Sequence, residues 1–441
     1  MIVDISKDNL SKIQNPVFSE YASIYLDIYS DFLQQMKSSG IQVDDQDHEQ
    51  ETIDISARLQ EKGAEFRNDG RSIFINAISP ACVACKKGIG SATFFVSLKC
   101  HRNCYFCFNP NQVDYEHFQH EKRNLVEELA KIRVEGHRLN HLAITGGEPL
   151  LHKQEVLACF RFASDVFPET HLRLYTCGDH ATRETLQELK DAGLDEIRFS
   201  IRMHDLEKGH QHTIERIADA CDLIPTVMVE MPILPGPNDR MKEVLPELDK
   251  LGVHSINLLE LCYPFVNADE FNRRSYKIRK QPYKILYNYW YAGGVPIAQS
   301  ELACLHLLEF ALDHDLTMGV HYCSLENKLT GQNYQQNHGK PVPENAYFSE
   351  RDYLFKSAKV FGRDISRAKR RLQKNGYRSM VRNRKHDYLE FHVNEIPSLK
   401  GMDIEVGLST STLESRPDGD YTRELKVDLT FPDRFDPDID V

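Results

Sequence analysis

Thr93-Phe94-Phe95-Val96-Ser97-Leu98-Lys99-Cys100-His101-Arg102-Asn103-Cys104-Tyr105-Phe106-Cys107 sends a β-prone apolar run straight into three cysteines within eight residues. The run reads as a strand over residues 93–98, and the cysteines as the loop that leaves it. Downstream the texture repeats: β-prone runs at residues 141–145, 171–176, 196–201, 226–232 and 255–261 alternate with stretches of helical period. Leu125, Leu129 and Ile132 share one helical face, as do Val156, Phe160 and Ala163. Six strand–helix units in alternation predict the α/β class, a partial (β/α)6 TIM-like barrel with its site at the carboxyl ends of the strands.

Around this core the texture changes. A helix over residues 300–313 and an extended segment at 318–323 lead to a polar loop rich in Asn and Gln. Residues 15–39 look helical and partly aromatic, and they run into the acidic stretch 42–52, which reads as a loop or linker. Residues 388–393, 403–410 and 423–431 look like strands, the last two flanking the turn Pro417-Asp418-Gly419-Asp420. The division expected is a partly helical N-terminal extension (1–77), a barrel with an upstream Cys82-Val83-Ala84-Cys85 pair (78–335), and a small C-terminal α+β domain (336–441).

The chain has 441 residues, 41% of them hydrophobic, enough to bury a sizeable core. Its formal charge of -12 argues against nucleic acid as the main partner. No stretch approaches the ~20 apolar residues of a membrane span, and the start lacks a basic-then-apolar leader, so a cytoplasmic location away from membranes is expected. Eleven cysteines in such a chain point to metal or catalysis rather than to disulfides.

Three thiolates on a four-iron cluster leave one iron without a protein ligand, open to a substrate or cofactor. That is the chemical use of having three. Gly146-Gly147-Glu148-Pro149 ends the second predicted strand, and its two glycines allow backbone to approach a ligand closely, with carbonyls and amides suited to an ammonium or a carboxylate. Zinc bound by the thiolates, or cysteines that only pack, are the plain alternatives for the triplet.

With Cys100, Cys104 and Cys107 after the first strand and Gly146–Pro149 after the second, the chain resembles the radical S-adenosylmethionine (radical SAM) superfamily. The resemblance implies a 4Fe-4S cluster on these cysteines whose unique iron chelates the amino and carboxylate groups of S-adenosylmethionine. One-electron reduction, from a donor such as flavodoxin or ferredoxin, then releases methionine and a 5′-deoxyadenosyl radical. Phe106 matches the aromatic position that covers the adenine. Thr176, in Tyr175-Thr176-Cys177-Gly178, resembles the third-strand motif lining the cofactor, and Ser200 and Arg202 sit where the fourth strand meets methionine and ribose. Glu230 resembles the fifth-strand position, and Asn257 with Glu260 the sixth. Together with the late segment Tyr322-Cys323-Ser324 and Lys328, these motifs look like an uncharacterised branch related to pyruvate formate-lyase activating enzymes.

Cys82, Cys85 and Cys323, with His321 beside them, are the candidates for an accessory site holding zinc or an auxiliary iron–sulfur cluster, against thiols that relay electrons or pack. Cys159, Cys221 and Cys304 fall on predicted helices and read as core, whereas Cys177 and Cys262 fall near strand ends. The basic stretch from Arg367 to Lys385 reads as a solvated face, with RNA, an acidic peptide or a phosphorylated substrate as the alternative.

The expected reaction is hydrogen abstraction by the adenosyl radical from a peptide or protein segment. A glycyl-radical-enzyme activase is the second reading. A metal-stapled binding protein with an inactive radical SAM core is the reading from another class.

Overall fold

The computed structural model describes residues 2–203, 207–289 and 293–441. It divides into two compact units, one of residues 39–283 and 288–331, the other of residues up to 38, 284–287 and 332–441. The extension drawn over residues 1–77 is therefore shared between them. Helix Pro16–Ser38 buries Phe18 and Tyr21 in the smaller unit's core, while helix Glu49–Glu61 buries Ile55 and Leu59 in the core of the larger.

In the larger unit the strands are β1 (Glu65–Arg67), β2 (Ser72–Ile75), β3 (Ser91–Phe95), β4 (His141–Thr145), β5 (His171–Thr176), β6 (Glu196–Phe199), β7 (Thr226–Ile233), β8 (Ser255–Glu260), the short pair β9 (Cys262–Tyr263) and β10 (Val295–Pro296), and β11 (Gly319–Cys323). Helices Leu125–Val134, Lys153–Val166, Arg183–Asp191, Glu207–Cys221, Asp239–Lys250 and Ser300–Asp313 follow β3 to β8 in turn. Among the described residues the main sheet has nine strands in the order β1-β2-β11-β8-β7-β6-β5-β4-β3. From β3 to β8 and on to β11 the neighbours are parallel, and β2 and β1 add antiparallel. A mostly parallel α/β sheet of this kind fits a partial TIM barrel.

Three expectations need correction. The barrel does not stop at six strands. Gly319 starts a seventh parallel strand where a Cβ would stand 2.2 Å from the Ala77 carbonyl oxygen, so β11 docks closely between β8 and β2. The acidic stretch 42–52 is not all linker, because the Asp47 carboxylate accepts the Glu49 N–H (3.0 Å) and Glu49 and Glu51 favour the positive end of the helix dipole there. The polar segment after Cys323 is helical over Leu325–Asn337, with the Ser324 hydroxyl accepting the Asn327 N–H at 3.0 Å.

Period-two alternation gives the sheet two chemically different faces. Leu172, Leu174, Ile197, Phe199, Val227, Val229, Met231, Ile256, Leu258, Val320 and Tyr322 join one apolar core with the helices. Their alternates carry polar groups: Arg173 and Tyr175 on β5, Glu196 and Arg198 on β6, Glu230 on β7, Asn257 on β8, His321 and Cys323 on β11. Tyr175, Glu230 and Cys323 remain partly accessible although surrounded by protein, as side chains lining a lumen do.

The smaller unit is an antiparallel α+β assembly of β12 (Tyr347–Phe348), β13 (Phe355–Phe361), β14 (Val381–Asn383), β15 (Tyr388–Phe391), β16 (Val406–Arg416) and β17 (Gly419–Thr430), ordered β14-β15-β13-β16-β17 with β12 on β13. The predicted turn falls between β16 and β17. Phe18 stacks on Phe361 at 4.6 Å, and the buried Lys359 ammonium pairs with Glu424 under the Tyr388 ring. The basic stretch forms helix Ile365–Lys374, which buries Ile365, Ala368 and Leu372 and leaves Arg367, Lys369, Arg370, Arg371 and Lys374 exposed.

Candidate active site

The chain leaves the sheet earlier than the apolar run suggests. After Phe95, Val96 O accepts from Arg123 N and Leu98 N donates to Phe118 O, so residues 96–98 peel away from β4 and carry the cysteines over its end. The Gly-Gly turn after β4 receives them. A Cβ on Gly146 (φ +105°) would meet the Phe95 Cβ at 2.5 Å, and one on Gly147 would meet the Lys99 carbonyl oxygen at 1.9 Å. The amides of Gly147 and Glu148 donate to Ser97 O (3.2 Å) and Lys99 O (2.9 Å), and Gly146 O accepts from Asn109 Nδ2. The glycines thus admit the protein's own cysteine loop, where sequence reasoning assigned the close approach to a ligand.

Glu148 fastens this turn to the end of β5. Its carboxylate accepts the Thr176 hydroxyl (2.8 Å), the Cys177 N–H (2.8 Å) and the Leu150 N–H (3.1 Å), which satisfies a charge that is only 2% exposed. Pro149 is buried and opens the short turn Pro149–His152.

A clamp that the sequence did not reveal lies beside it. Arg102 grips Asp179 with two N–H donors (2.6 and 2.5 Å), and His101 meets the same carboxylate at 2.5 Å. The Cys177 thiol donates to Asp179 at 3.2 Å. Arg102 and His101 hold the Asp179 carboxyl well below its ordinary range. His101, Cys177 and Asp179 are also, among the described residues, a group of ligand-type atoms within 4.8 Å of one another. The bidentate guanidinium on Asp179 makes this an anchor for the cysteine loop rather than a cation site. Tyr105 secures the other side: its buried ring packs against Phe271, Arg274 lies over it, and its carbonyl accepts from Asn267.

Cys100 is exposed, while Cys104 and Cys107 are partly buried. Burial pushes the Cys100 and Cys107 thiols up, and Cys100 lies within electrostatic reach of both Glu148 and Arg202. Phe106 packs edge-on to Tyr105. Ser200 N donates to Thr176 O, and Arg202 is buried just beyond β6. The loop cysteines, the Gly146–Pro149 turn, Thr176, Ser200 and Arg202 therefore belong to one end of the sheet. The thiol donor set, on a loop braced at Gly147, Asp179 and Asn267, fits a 4Fe-4S cluster.

Glu230 and Asn257 sit deeper, within their strands. Register places Glu230 opposite Asn257 and Asn257 opposite His321. Asn257 Nδ2 donates to Glu230 at 2.6 Å, its Oδ1 meets His321 Nδ1 at 2.8 Å, and His321 Nε2 meets the Ser72 hydroxyl at 2.9 Å. Arg198 bridges Glu230 and Glu196, and Ser79 and His171 add to Glu196. Pairing throughout is what makes these buried charges tolerable. Burial pushes His321 down to about 3, which keeps the ring neutral. With both nitrogens engaged, His321 is not free to join an accessory metal site. Glu260, pushed above the usual carboxylate range by burial, faces Arg279 at 3.1 Å and accepts from Leu325 N.

Cys159 and Cys304 are fully buried in the helical core, as expected. No helix among the described residues is long and apolar enough to cross a membrane.

Residues 95–248 match the Radical SAM superfamily. A putative glycyl-radical enzyme activating enzyme of Methanocaldococcus jannaschii is 26% identical over 201 residues, 44% of this chain and 53% of that protein. A GTP 3′,8-cyclase of Sulfurovum sp. is 29% identical over 157 residues, 33% of this chain and 46% of that enzyme. The chain spans about half the length of these curated relatives. Among solved structures, Streptococcus suis SuiB is 11% identical, with 74% of this chain and 67% of that one covered and a TM-score of 0.39. Residues 95–248, which hold the cysteine loop and the strands behind it, are thus the part of this chain that is similar to a radical SAM domain.

Proposed function

We propose that the protein cleaves S-adenosylmethionine reductively at a 4Fe-4S cluster held by Cys100, Cys104 and Cys107, and directs the resulting radical at a C–H bond of a peptide or protein segment. The observation that carries this reading is the braced cysteine loop at the carboxyl ends of the parallel strands, with Glu148 and Arg202 within reach of Cys100. When bound, the cluster and S-adenosylmethionine supply reductive carbon–sulfur cleavage and a 5′-deoxyadenosyl radical.

The chain's own residues do the positioning. Asp179 and Tyr105 hold the loop from two sides, and Glu148 keeps the Gly-Gly turn against β5. Phe106 offers an aromatic face for the adenine, Thr176 and Ser200 offer polar atoms at the strand ends, and Arg202 offers a guanidinium for the cofactor's carboxylate. Gly146, Gly147 and Pro149 shape the turn. Glu230 and Asn257 form the polar wall beneath. Among the described residues the strand order runs from β1 to β3 without closing on itself, which favours a bulky substrate entering from the side. Flavodoxin or ferredoxin would supply the electron, and a cytoplasmic setting would suit such a donor.

The second reading, a glycyl-radical-enzyme activase, draws support from the similarity to the Methanocaldococcus jannaschii protein. Anaerobically reconstituted, dithionite-reduced protein tests the shared step: 5′-deoxyadenosine must form from S-adenosylmethionine and disappear in Cys104→Ala. If none forms, a metal-stapled binding protein takes precedence. A glycyl-radical doublet in the electron paramagnetic resonance spectrum of a co-incubated partner would select the activase.

A further inference from the structure

Three thiols that this reaction does not use face the lumen of the larger unit. Cys82 lies in the short helix Pro80–Ala84, Cys85 follows it directly, and Cys323 ends β11. The Cys82 sulfur accepts N–H groups from Arg198 (3.4 Å) and Asn257 (3.3 Å), and the Cys323 sulfur accepts one from Asn327 (3.3 Å). Cys85 and Cys323 are close enough for their charges to act on each other and on Cys82, and Lys328 is within electrostatic reach of both. Packing holds the set together. A Cβ on Gly331 would stand 2.5 Å from the Cys85 carbonyl oxygen, so the segment after Cys82 is pressed against the helix that follows Cys323.

A neutral thiol is a weak acceptor, and a guanidinium with two amides aimed at such sulfurs suits atoms that carry negative charge. Metal-bound thiolates carry it, and donors to sulfur are a standard means of tuning iron–sulfur centres. Lys328 adds positive charge beside Cys85 and Cys323, which a thiolate-rich centre needs. A cubane seats each of three thiolates on a different iron, and the donors aimed at these sulfurs match what such a centre uses.

We propose that Cys82, Cys85 and Cys323 hold a second iron–sulfur cluster, separate from the one on Cys100, Cys104 and Cys107. Cys262 lies within electrostatic reach of both Cys107 and Lys328, so the two thiol sets border the same lumen. With three protein thiolates, the second cluster also keeps one iron for an outside ligand.

The test is metal and sulfide analysis of protein reconstituted without oxygen, and it does not depend on turnover. Wild type should hold about eight irons and eight sulfides per chain, and the Cys100/Cys104/Cys107→Ala triple variant about four of each. Cys82→Ala and Cys323→Ala, made separately in the wild-type background, should each bring the content down to about four irons, which decides the matter even if the triple variant does not fold. Wild type holding about four irons, unchanged by Cys82→Ala, would overturn the proposal. So would zinc in place of iron and sulfide in the triple variant.

Discussion

Gly147 and Lys99 meet so closely that a Cβ on Gly147 would stand 1.9 Å from the Lys99 carbonyl oxygen. The turn after β4 and the start of the cysteine loop therefore pack backbone on backbone, with no flexible side-chain tip to give way. Gly147→Ala should push the loop off the strand end and lose most of the iron bound by Cys100, Cys104 and Cys107. Iron and sulfide per chain, with circular dichroism as a check that the fold survives, measure this. An alanine variant loaded like wild type at those cysteines would show that the loop yields.

Asp179 is a positioning residue, acting on the cluster loop through Arg102 and His101. Asp179→Asn should speed loss of iron to a chelator several-fold, and the effect should shrink in an Arg102→Gln background because both changes break the same pair. The coupling expected from such a cycle is about 0.5–3 kcal/mol. Equal effects in both backgrounds would remove the clamp from the account.

Thr176→Val deletes the hydroxyl that donates to the buried Glu148 carboxylate. Leaving that acceptor short costs about 1–3 kcal/mol. Urea denaturation should show the loss, and equilibrium dialysis should show weaker S-adenosylmethionine binding. Thr176→Ser, which keeps the donor, should restore most of both.

The polar row under the site makes stability depend on pH. Burial holds His321 at about 3 in the fold, against about 6.5 in an unfolded chain. Below that upper value the unfolded state takes up a proton that the native ring refuses, so stability falls as pH drops from about 6.5 toward 3. Glu230 and Glu196, held low chiefly by Arg198, add losses in the same direction at lower pH. Urea midpoints at about pH 7.5 and about pH 5 should differ clearly in wild type and less in His321→Asn. An equal difference in both would take His321 out of the explanation.

Local period and spacing carried much of this protein. The runs at residues 141–145 and 171–176 and the helices at 153–166 and 300–313 have the bounds that their sequences show, because backbone geometry sets side-chain alternation over a few residues. Cys100, Cys104, Cys107 and Gly146–Pro149 were legible for the same reason: each motif is dense in a short stretch. The segments 42–52 and 324–337 read as loop from their polar composition, yet the Asp47 and Ser324 side chains accept N–H groups in the first turns of helices there.

What remained belonged to pairings between distant residues. The strands β1 and β2 are three and four residues long, and β11, far along the chain, is what joins this pair to the main sheet. Arg102 and Asp179 lie 77 positions apart, and Ser72 and His321 lie 249 apart. Sequence alone determined which residues could carry the chemistry and on which face of a strand each stands. The tertiary structure decided that the glycines receive the cysteine loop, that Asp179 braces it, and that Cys82, Cys85 and Cys323 share one lumen, because hydrogen bonds and close packing act between neighbours in space whatever their separation along the chain.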